Sequence, residues 1–511
     1  MSQDLELKNK RVLIFQQRGW GMRIGHFLAK KLKDEGCILG ALTTKRSVYN
    51  FVKKQKEIDY KIVFHYDDII DEPEKFLAGD DYSLEQICDD LDIDSVWTLV
   101  QSLRLYARSY REKYYYSYRQ EISDEDIITH VKACYKAVKY IFEDFKPDVI
   151  LLPNFTTIFH IFLDLYGRKS GVKTIRIIDS RVRGVGILVE GYRAQEGRFF
   201  DRIKELDQGA ESNNFKKAKD YIEKTRAKLQ VPIYSDHGRN IFAKKSLIKR
   251  IREELAPYRK SIRYLTGKNI NQLKRFKVMV DYLSPYYLLR DHYVDKINTW
   301  HSNHFPYYDF KKVKKYIYIP LQFNPEETVD VSGARYNNQI ETIRQIAMSA
   351  PGDYTVVVKD HPAMLGKQGR SYLEKVARTP NVKLIDYRIP SEQIIRNADL
   401  IINISGTSLA EAAFLKKPAI QLGELGVTKV LPNIFIHSDL TTIDSTIKKA
   451  LKTDFNTSEY DKKLLDFVAA AYDTGSDADY VGIWWGKTTD KIEDMWRMYK
   501  DEIIYCLNKK K

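Results

Sequence analysis

The chain has 511 residues, of which 43% are hydrophobic and 30% charged, an ordinary composition for a water-soluble globular protein. This length is enough for two or three domains. No run reaches the roughly 18 uninterrupted apolar residues that predict a membrane-spanning helix, and the opening sequence MSQDLELKNK lacks the apolar core of a signal peptide.

Cysteine spacing and charge distribution narrow the range of partners. The four cysteines lie far apart and form no CxxC pair, which argues against a structural zinc site and favours a reducing cytoplasm. The formal net charge is +15, and the segment 237–277 holds thirteen Lys or Arg against two Glu. A local excess of this kind favours an anionic substrate or membrane surface over nucleic acid as the partner.

The first predicted unit is a strand at residues 10–14 followed by a glycine-rich segment and a helix. Gly19, Gly21 and Gly25 have a spacing close to that of the dinucleotide-binding fingerprint, but not identical to it. The segment is therefore either a nucleotide-binding loop or a tight turn that lets the backbone approach another ligand, such as an acceptor. His26, near the start of the helix, is a candidate base; a capping or packing role is the alternative.

The rest of the first 200 residues predicts a parallel sheet with helices. Ser123 and the acidic residues after it have the pattern of a helix N-terminus. Asn154 follows a buried strand, where a ligand-facing loop is expected. The Tyr/Arg-rich part at 104–118 suits sugar and phosphate contacts, or else is a solvated helix face. The predicted elements are strands at 37–43, 61–64, 148–152 and 172–178 and helices at 84–118 and 122–145.

Residues 202–299 are predicted to be mostly helical and to include a basic amphipathic helix. Its apolar residues recur at steps of three, four or seven, with Lys and Arg on the other side. That helix either docks on an anionic membrane or packs its apolar face on the protein, with the basic face solvated. Pro257 is expected to kink or split it. The apolar residues are Ile241, Ile248, Ile251, Leu255, Tyr258, Ile262 and Leu265.

A second sheet is predicted from residue 316 onward. Short apolar runs alternate with helical segments and end in polar or small residues, as buried parallel strands with ligand-binding groups at their C-terminal ends do. The helices after residue 456 carry Trp484, Trp485 and Trp496, which pack back across the first domain or rest against a membrane interface. The predicted strands lie at 316–320, 356–358, 382–385, 400–402 and 434–436.

One strand of this sheet ends in Lys359-Asp360-His361-Pro362. The side chains of Lys359 and His361 are expected to emerge at the cleft between the two sheets, with Pro362 fixing the local turn. There they would stabilise the negative charge that develops on a departing phosphate. The alternative role for His361 is to close the turn through a hydrogen bond.

Another strand ends in Ser405-Gly406-Thr407, followed by a predicted helix at 408–415. The exposed amides and dipole of a helix start suit an anion, Gly406 permits close approach of a phosphate, and Glu411 could accept from ribose hydroxyls. The alternative is that Ser405 and Thr407 are ordinary helix caps. The combination fits a nucleotide leaving group bound without a metal or a separate cofactor.

Four motifs in this half, LQFNPEE, VVKDHP, SGT and EAAFLKKP, resemble the capsule and surface polysaccharide biosynthesis glycosyltransferases of the GT-B fold. That group includes Kdo transferases and, more distantly, bacterial sialyltransferases with a His-Pro motif. The resemblance is weaker at residues 97–104 and at DVILLPN. The motifs are also compatible with CDP-glycerol glycerophosphotransferases and, loosely, with sugar-nucleotide 2-epimerases.

The resemblance implies roles for individual residues. His361 and Pro362 would contact the donor phosphate and base, Ser405 and Thr407 would hold the phosphate, and Glu326 would face the cleft as an acid/base or donor contact. Gln322 stands where many relatives have histidine, which puts a catalytic role there in doubt. Glu326, Asp360 and His26 are the candidates for the catalytic base, and the sequence does not choose between them.

The resulting prediction is an α/β protein with two Rossmann-like domains facing across a cleft. The N-terminal Rossmann-like domain would bind the acceptor, and the C-terminal Rossmann-like domain would bind the nucleotide-sugar donor. The protein would be a cytoplasmic glycosyltransferase at the inner face of the plasma membrane that extends a surface polysaccharide or lipid-linked glycan. A CDP-linked polyol-phosphate transferase and a catalytically silent glycan-binding module are the alternatives. The predicted domain bounds are 1–200, 201–312 (helical and basic), 313–455 and 456–511 (C-terminal helices).

Overall fold

A computed structural model describes residues 6–103, 122–229, 246–267, 270–275, 278–279, 283–324 and 326–509. The Tyr/Arg-rich segment at 104–118 and Ile241 of the basic helix lie outside the described residues.

The first domain is built on a six-stranded sheet in the order β3-β2-β1-β4-β5-β6. The first five strands are parallel, as predicted, because helices connect them across the faces of the sheet. The prediction missed the last strand, which pairs antiparallel with β5 through a tight loop. The strands are β1 (Arg11–Gln17), β2 (Ile38–Thr44), β3 (Tyr60–His65), β4 (Val149–Leu151), β5 (Lys173–Asp179) and β6 (Gly186–Glu190).

The helices of this domain cover both faces of the sheet. The predicted N-terminus at Ser123 is confirmed, since its hydroxyl accepts from the amide of Asp126 at 3.1 Å. The helices are α1 (Arg18–Trp20), α2 (His26–Asp34), α3 (Arg46–Lys54), α4 (Tyr66–Asp71), α5 (Pro73–Leu77), α6 (Leu84–Leu91), α7 (Trp97–Val100), α8 (Asp124–Asp144) and α9 (Ile158–Lys169).

The glycine-rich segment after β1 is helical, so the prediction of a turn is wrong. A π-helical stretch, Gly21–Gly25, joins α1 directly to α2. A Cβ at Gly21 would lie 2.7 Å from the carbonyl carbon of Gln16, and one at Gly25 would lie 2.2 Å from the side-chain oxygen of the same residue. The glycines therefore let the helix pack closely against the end of β1.

The connecting region joins the two sheets with helices and a short pair of antiparallel strands. The basic helix is present as α12 and runs through Pro257 without a break, so the expected split does not occur. Within the described ranges, no helix combines the length and apolar content needed to cross a membrane. The elements are α10 (Arg198–Asp207), α11 (Phe215–Ala227), α12 (Leu247–Thr266), β7 (Gln272–Leu273), β8 (Val278–Met279) and α13 (Pro285–Asn303).

The second domain repeats the strand order of the first, β11-β10-β9-β12-β13-β14, with every pair parallel. Its strands are β9 (Tyr316–Pro320), β10 (Thr355–Lys359), β11 (Val382–Ile385), β12 (Leu400–Asn403), β13 (Ala419–Gln421) and β14 (Ile434–Ile436). Its helices are α14 (Glu327–Asp330), α15 (Gln339–Ser349), α16 (Arg370–Ala377), α17 (Ser391–Asn397), α18 (Ser408–Phe414), α19 (Gly426–Lys429) and α20 (Ile443–Lys452).

Three C-terminal helices return to the first domain: α21 (Ser458–Thr474), α22 (Tyr480–Trp485) and α23 (Ile492–Asn508). Met495, Trp496 and Tyr499 belong to the same buried cluster as Val12 of β1 and Val149 of β4. A second cluster joins α10, α18 and α21 and so links the two domains. The fold class predicted from the sequence, two Rossmann-like sheets with added helices, is confirmed, whereas the exact domain bounds remain predictions.

Candidate functional site

Each sheet has a topological switch point, where successive connections leave in opposite directions. In a doubly wound sheet, ligands bind in the crevice at the C-terminal ends of the strands beside that point. In the second domain the switch point lies between β9 and β12, which are followed by Gln322 and by Ser405-Gly406-Thr407. His361 follows β10, directly beside β9.

His361 is held by its own turn. Its Nδ1 accepts from the amide of Ala363 at 3.1 Å, and its ring lies 6.0 Å from that of Phe323. Burial, with a contribution from the Lys359 ammonium, lowers the pKa of His361 to about 4. The ring is therefore neutral at pH 7, and because Nδ1 is the acceptor, its proton lies on Nε2. It both closes the turn and retains one N–H donor.

Lys359 does not emerge at the cleft as expected. Its ammonium turns into the second domain, where it donates to the carbonyl of Ile389 at 3.1 Å and to the hydroxyl of Ser391 at 2.8 Å. Burial lowers the pKa of Lys359 to about 8, while nearby carboxylates oppose that shift. Lys359 is thus held beneath the surface, from where it would act on an anion at this edge only through its charge.

Asp360 is also buried, and its Oδ1 accepts from the amide of His361 at 2.8 Å. Burial raises the pKa of Asp360 to about 7, whereas the hydrogen bond from that amide and the charge of Lys359 act to lower it. Its carboxyl group braces the turn from inside the domain, which makes it a poor candidate for a base that must reach an acceptor.

The Ser405-Gly406-Thr407 segment is organised mainly by internal hydrogen bonds. Ser405 is fully buried and donates to the carbonyl of Thr328 at 2.8 Å, so its hydroxyl is committed within the domain. The amide of Gly406 donates to Asn403 at 3.2 Å, and a Cβ on Gly406 would lie 2.8 Å from the side-chain oxygen of Gln322. The helix that follows, α18, has only seven residues.

Thr407 and Glu411 line a small cavity of about 30 Å³ between the two domains. Its opposite wall comes from the loop after β5, which contributes Arg181 and Arg183, and from α11. Burial raises the pKa of Glu411 to about 7, whereas Lys359 and Arg181 act to lower it. The cavity thus joins a carboxyl group of the second domain to guanidinium groups of the first.

The sequence interpretation missed Arg181. A guanidinium nitrogen of this residue lies 3.5 Å from the carbonyl of Ser405 and another lies 3.9 Å from Asp179. Its backbone has φ 70°, in the left-handed region that non-glycine residues avoid, and such strain clusters at functional sites. The signal was available, because the DSRVRG stretch follows a predicted strand end.

A buried ion pair also crosses between the domains. Arg176 of β5 donates to Glu327 at the start of α14 and, at 3.0 Å, to the carbonyl of Tyr192. The neighbouring Glu326 is exposed and accepts from the hydroxyl of Thr328 at 3.0 Å. Of the three candidate bases, Glu326 is the exposed one that lies beside this domain junction.

His26 lies away from the cleft. Its Nε2 is 2.6 Å from Glu57, which precedes β3 and therefore lies at the N-terminal edge of the parallel sheet. Ligands of such sheets bind at the opposite edge, so the geometry contradicts a catalytic role for His26. Gly21 and Gly25 pack on Gln16 and Gly19 faces Trp484, so these glycines serve helix packing, and their predicted acceptor-side role stays a prediction.

Asn154 keeps its predicted position. It follows β4 at the C-terminal edge of the first sheet and is half-buried. The next residue, Phe155, lies beneath the guanidinium of Arg176, 5.0 Å from its ring centre. Asn154 is thus next to the interdomain ion pair, on the side of the first domain that faces the second.

In the described chain, a group with metal-ligand spacing, Glu190, Glu502 and Cys506, is buried where α23 covers β6. The ammonium of Lys173 lies 2.9 Å from Glu190, and the amide of Arg198 donates to Glu502 at 3.1 Å. These contacts fasten the C-terminal helix to the first domain.

Comparison with known proteins supports the interpretation of the second domain. Residues 295–426 match the family described as capsule polysaccharide biosynthesis protein. All four motifs that carried the predicted resemblance fall inside this range, so the resemblance is confirmed there. The match covers about a quarter of the chain. No curated protein matches the sequence.

Solved structures resemble the chain only distantly. The Thermosulfurimonas dismutans KpsC β-Kdo 2,7-transferase is 13% identical, with 69% of this chain and 88% of that chain covered and a TM-score of 0.33. The UDP-GlcNAc 2-epimerase of Methanocaldococcus jannaschii is 13% identical, with coverages of 87% and 94% and a TM-score of 0.25. The calicheamicin glycosyltransferase CalG4 is 12% identical, with coverages of 94% and 99% and a TM-score of 0.24. These similarities are too low to carry an argument about activity.

The matched range lies mainly in the second domain and contains the strand ends that carry His361 and Thr407.

Proposed function

We propose that the protein is a glycosyltransferase that moves a sugar from a nucleotide-activated donor to a surface polysaccharide or lipid-linked glycan, in the cytoplasm at the inner face of the plasma membrane. The observation that carries the proposal is the coincidence of two features. The capsule-biosynthesis match covers the same segment whose strand ends carry Thr407, at the switch point of a doubly wound sheet, and His361, one strand away from it. Ligands bind such sheets at that position.

In the proposed reaction, an acceptor hydroxyl forms a bond to the anomeric carbon of the donor sugar. The bond from that carbon to the phosphate oxygen breaks, and the nucleotide leaves with the electron pair. The N–H of His361 and the guanidinium of Arg181 would donate to the phosphate as its charge grows. Glu326 would take the acceptor proton, and Glu411 would accept from ribose hydroxyls.

The two domains would divide these tasks. The second domain would hold the donor through His361, Pro362 and the segment around Gly406 and Thr407. The first domain would hold the acceptor near Asn154 and would supply Arg181 across the cavity. A preorganised donor set of this kind can stabilise the leaving group without a metal ion.

The test is turnover with CMP-, CDP-, UDP- and GDP-linked sugars and with a CDP-linked polyol, each with a glycan acceptor and followed as released nucleotide. We expect release from one donor class, reduced about 100-fold in Arg181→Ala and in His361→Ala. The matched control is Arg378→Ala, because Arg378 is exposed, pairs with Glu374 and lies at the end of α16, at the opposite edge of the second sheet; it should retain full activity. Turnover of a CDP-linked polyol alone would identify a polyol-phosphate transferase, and binding without release would identify a silent glycan-binding module.

A further inference from the structure

The apolar face of α12 points into solvent. Seven large side chains on one side of this helix are each between 41% and 73% exposed. Of the helix, only Pro257 and Ser261 are buried. The expectation that this face packs on the protein is therefore not met within the described chain. The seven residues are Leu247, Ile248, Ile251, Leu255, Tyr258, Ile262 and Leu265.

The neighbouring helix α13 extends this apolar surface. Tyr286, Tyr293, Ile297 and Trp300 of α13 are each at least half exposed. The hydroxyl of Tyr293 shares a hydrogen bond with that of Tyr258 of α12, so the two stripes adjoin. Tyr and Trp favour surfaces that are apolar at one end and wet at the other. We call the eleven exposed residues of the two helices the hairpin face.

The hairpin face is fixed relative to the candidate donor site. Asn298 of α13 donates to the carbonyl of Gly366 at 3.2 Å, and Asp295 forms an ion pair with Lys367. Gly366 and Lys367 lie in the loop that begins at His361 and Pro362. Glu254 of α12 pairs with Lys296, which ties the two helices together.

Cations border the hairpin face on α12. At 100° per residue, Arg252, Arg259 and Arg263 fall beside the apolar stripe, on the side away from the buried Pro257 and Ser261. All three are exposed. An apolar stripe bordered by arginines is complementary to an anionic bilayer surface. Two copies of this chain that met through the same face would bring like charges together, which disfavours self-association.

We propose that the hairpin face docks on an anionic phospholipid bilayer, with the apolar side chains at the acyl boundary and the arginines against the headgroups. This inference deepens the membrane location in the proposed function by naming the surface that docks, and it rests on the exposure and charge of the two helices, not on the reaction. Because the face is fastened to the loop after His361, docking would hold the donor domain in a fixed orientation to the membrane.

The test is co-sedimentation of the full chain with vesicles of phosphatidylcholine alone and of phosphatidylcholine mixed with phosphatidylglycerol. We expect binding to the anionic vesicles, weakened by salt. Leu255→Glu combined with Ile262→Glu should weaken it about tenfold or more. Arg252→Glu, Arg259→Glu and Arg263→Glu together should weaken it about a hundredfold. All five positions are exposed, so the variants should fold.

Matched controls lie elsewhere on the surface. The apolar control is Met348→Glu, which changes a side chain that is 66% exposed on α15. The charge control reverses three exposed lysines away from the hairpin face, with Lys216→Glu, Lys219→Glu and Lys452→Glu combined. Both controls should bind vesicles as the wild type does. Unchanged co-sedimentation of the Leu255/Ile262 variant would overturn the proposal, as would equal binding of the wild type to neutral and anionic vesicles.

Two further measurements distinguish lipid docking from self-association and from a defect in catalysis. Sedimentation velocity in the absence of lipid should give the same oligomeric state for the wild type and the Leu255/Ile262 variant. If the wild type is a dimer that the variant abolishes, the face is an interface between copies and the lipid proposal fails. Turnover on a water-soluble acceptor should be equal in both, so that loss of vesicle binding is distinguishable from loss of catalysis.

Discussion

At the residue scale, the C-terminal edge of the second sheet carries His361 and Thr407, and Arg181 reaches this edge from the first domain. His361 and Thr407 could be located because the ends of parallel strands gather at one edge of the sheet. The orientation of Lys359 could not, because the acceptors that draw it inward, at Ile389 and Ser391, come from a loop after a different strand. Arg181 was missed although it follows a predicted strand end, because its contact with Ser405, 224 residues away in the chain, leaves no local pattern.

Asp360 makes a pH-dependent contribution to stability. Burial raises its pKa from 3.8 to about 7, so the folded state binds the proton more tightly than the unfolded state. The contribution of protonated Asp360 to the stability of the folded state is complete below about pH 4 and is lost as the pH rises through about 7. We expect Asp360→Asn to remove this loss and so to gain about 2–4 kcal/mol relative to the wild type between pH 4 and pH 8.

The measurement for Asp360 is urea unfolding of the wild type and the variant across that pH range. Asp353→Asn is the control, because Asp353 is an exposed aspartate near the start of β10, the strand that Asp360 follows. The pH profile of this variant should follow that of the wild type. Parallel profiles for Asp360→Asn and the wild type would show that Asp360 keeps its ordinary acidity in the folded protein.

At the element scale, ten of the twelve strands of the two sheets were predicted, whereas β6 and β13 were not. Runs such as YIYIP predict a strand clearly, because a parallel strand is buried on both faces and has a continuous apolar sequence. The antiparallel β6 was missed because a buried edge strand has no distinct pattern. The helical geometry at Gly21–Gly25 depends on close contact with Gln16, a tertiary fact that glycine spacing does not encode.

The elements at the domain junction give a matched pair of neighbouring glutamates. Glu327→Gln should lower the free energy of unfolding by about 3 kcal/mol, because the buried guanidinium of Arg176 would lose its ion-pair partner. Glu326→Gln, at the exposed position beside it, should change stability by no more than about 0.5 kcal/mol. Both are measured by urea unfolding. Equal, small effects would mean that water screens the Arg176–Glu327 pair.

At the scale of the whole molecule, the sequence predicts two similar halves, and the two sheets do share one strand order. It left open where the last 56 residues go. The structure answers this through packing: α23 buries Trp496 and Tyr499 against the first sheet, so β1 and α23 belong to the same domain. Amphipathic helices have many possible partners, and the sequence alone does not choose between them.

This return of the chain makes the first domain depend on its C-terminal helices. Tyr499→Ala should lower the free energy of unfolding of the first domain by about 3–5 kcal/mol, because Tyr499 is fully buried. Trp485→Ala removes a larger ring that is mostly exposed and should cost less than about 1 kcal/mol. Hydrogen exchange of the β1 amides would report the loss. If those amides keep wild-type protection in Tyr499→Ala, the helix is not part of that core.

The central claim is that the strand ends of the second domain bind a nucleotide. It is tested most directly by calorimetric titration of CMP, CDP, UDP and GDP into the wild type and into His361→Ala. We predict that the wild type binds one of these nucleotides and that His361→Ala binds it about tenfold to a hundredfold more weakly, because one hydrogen bond to a charged phosphate is lost. Equal affinity of the two proteins for every nucleotide would contradict the assignment.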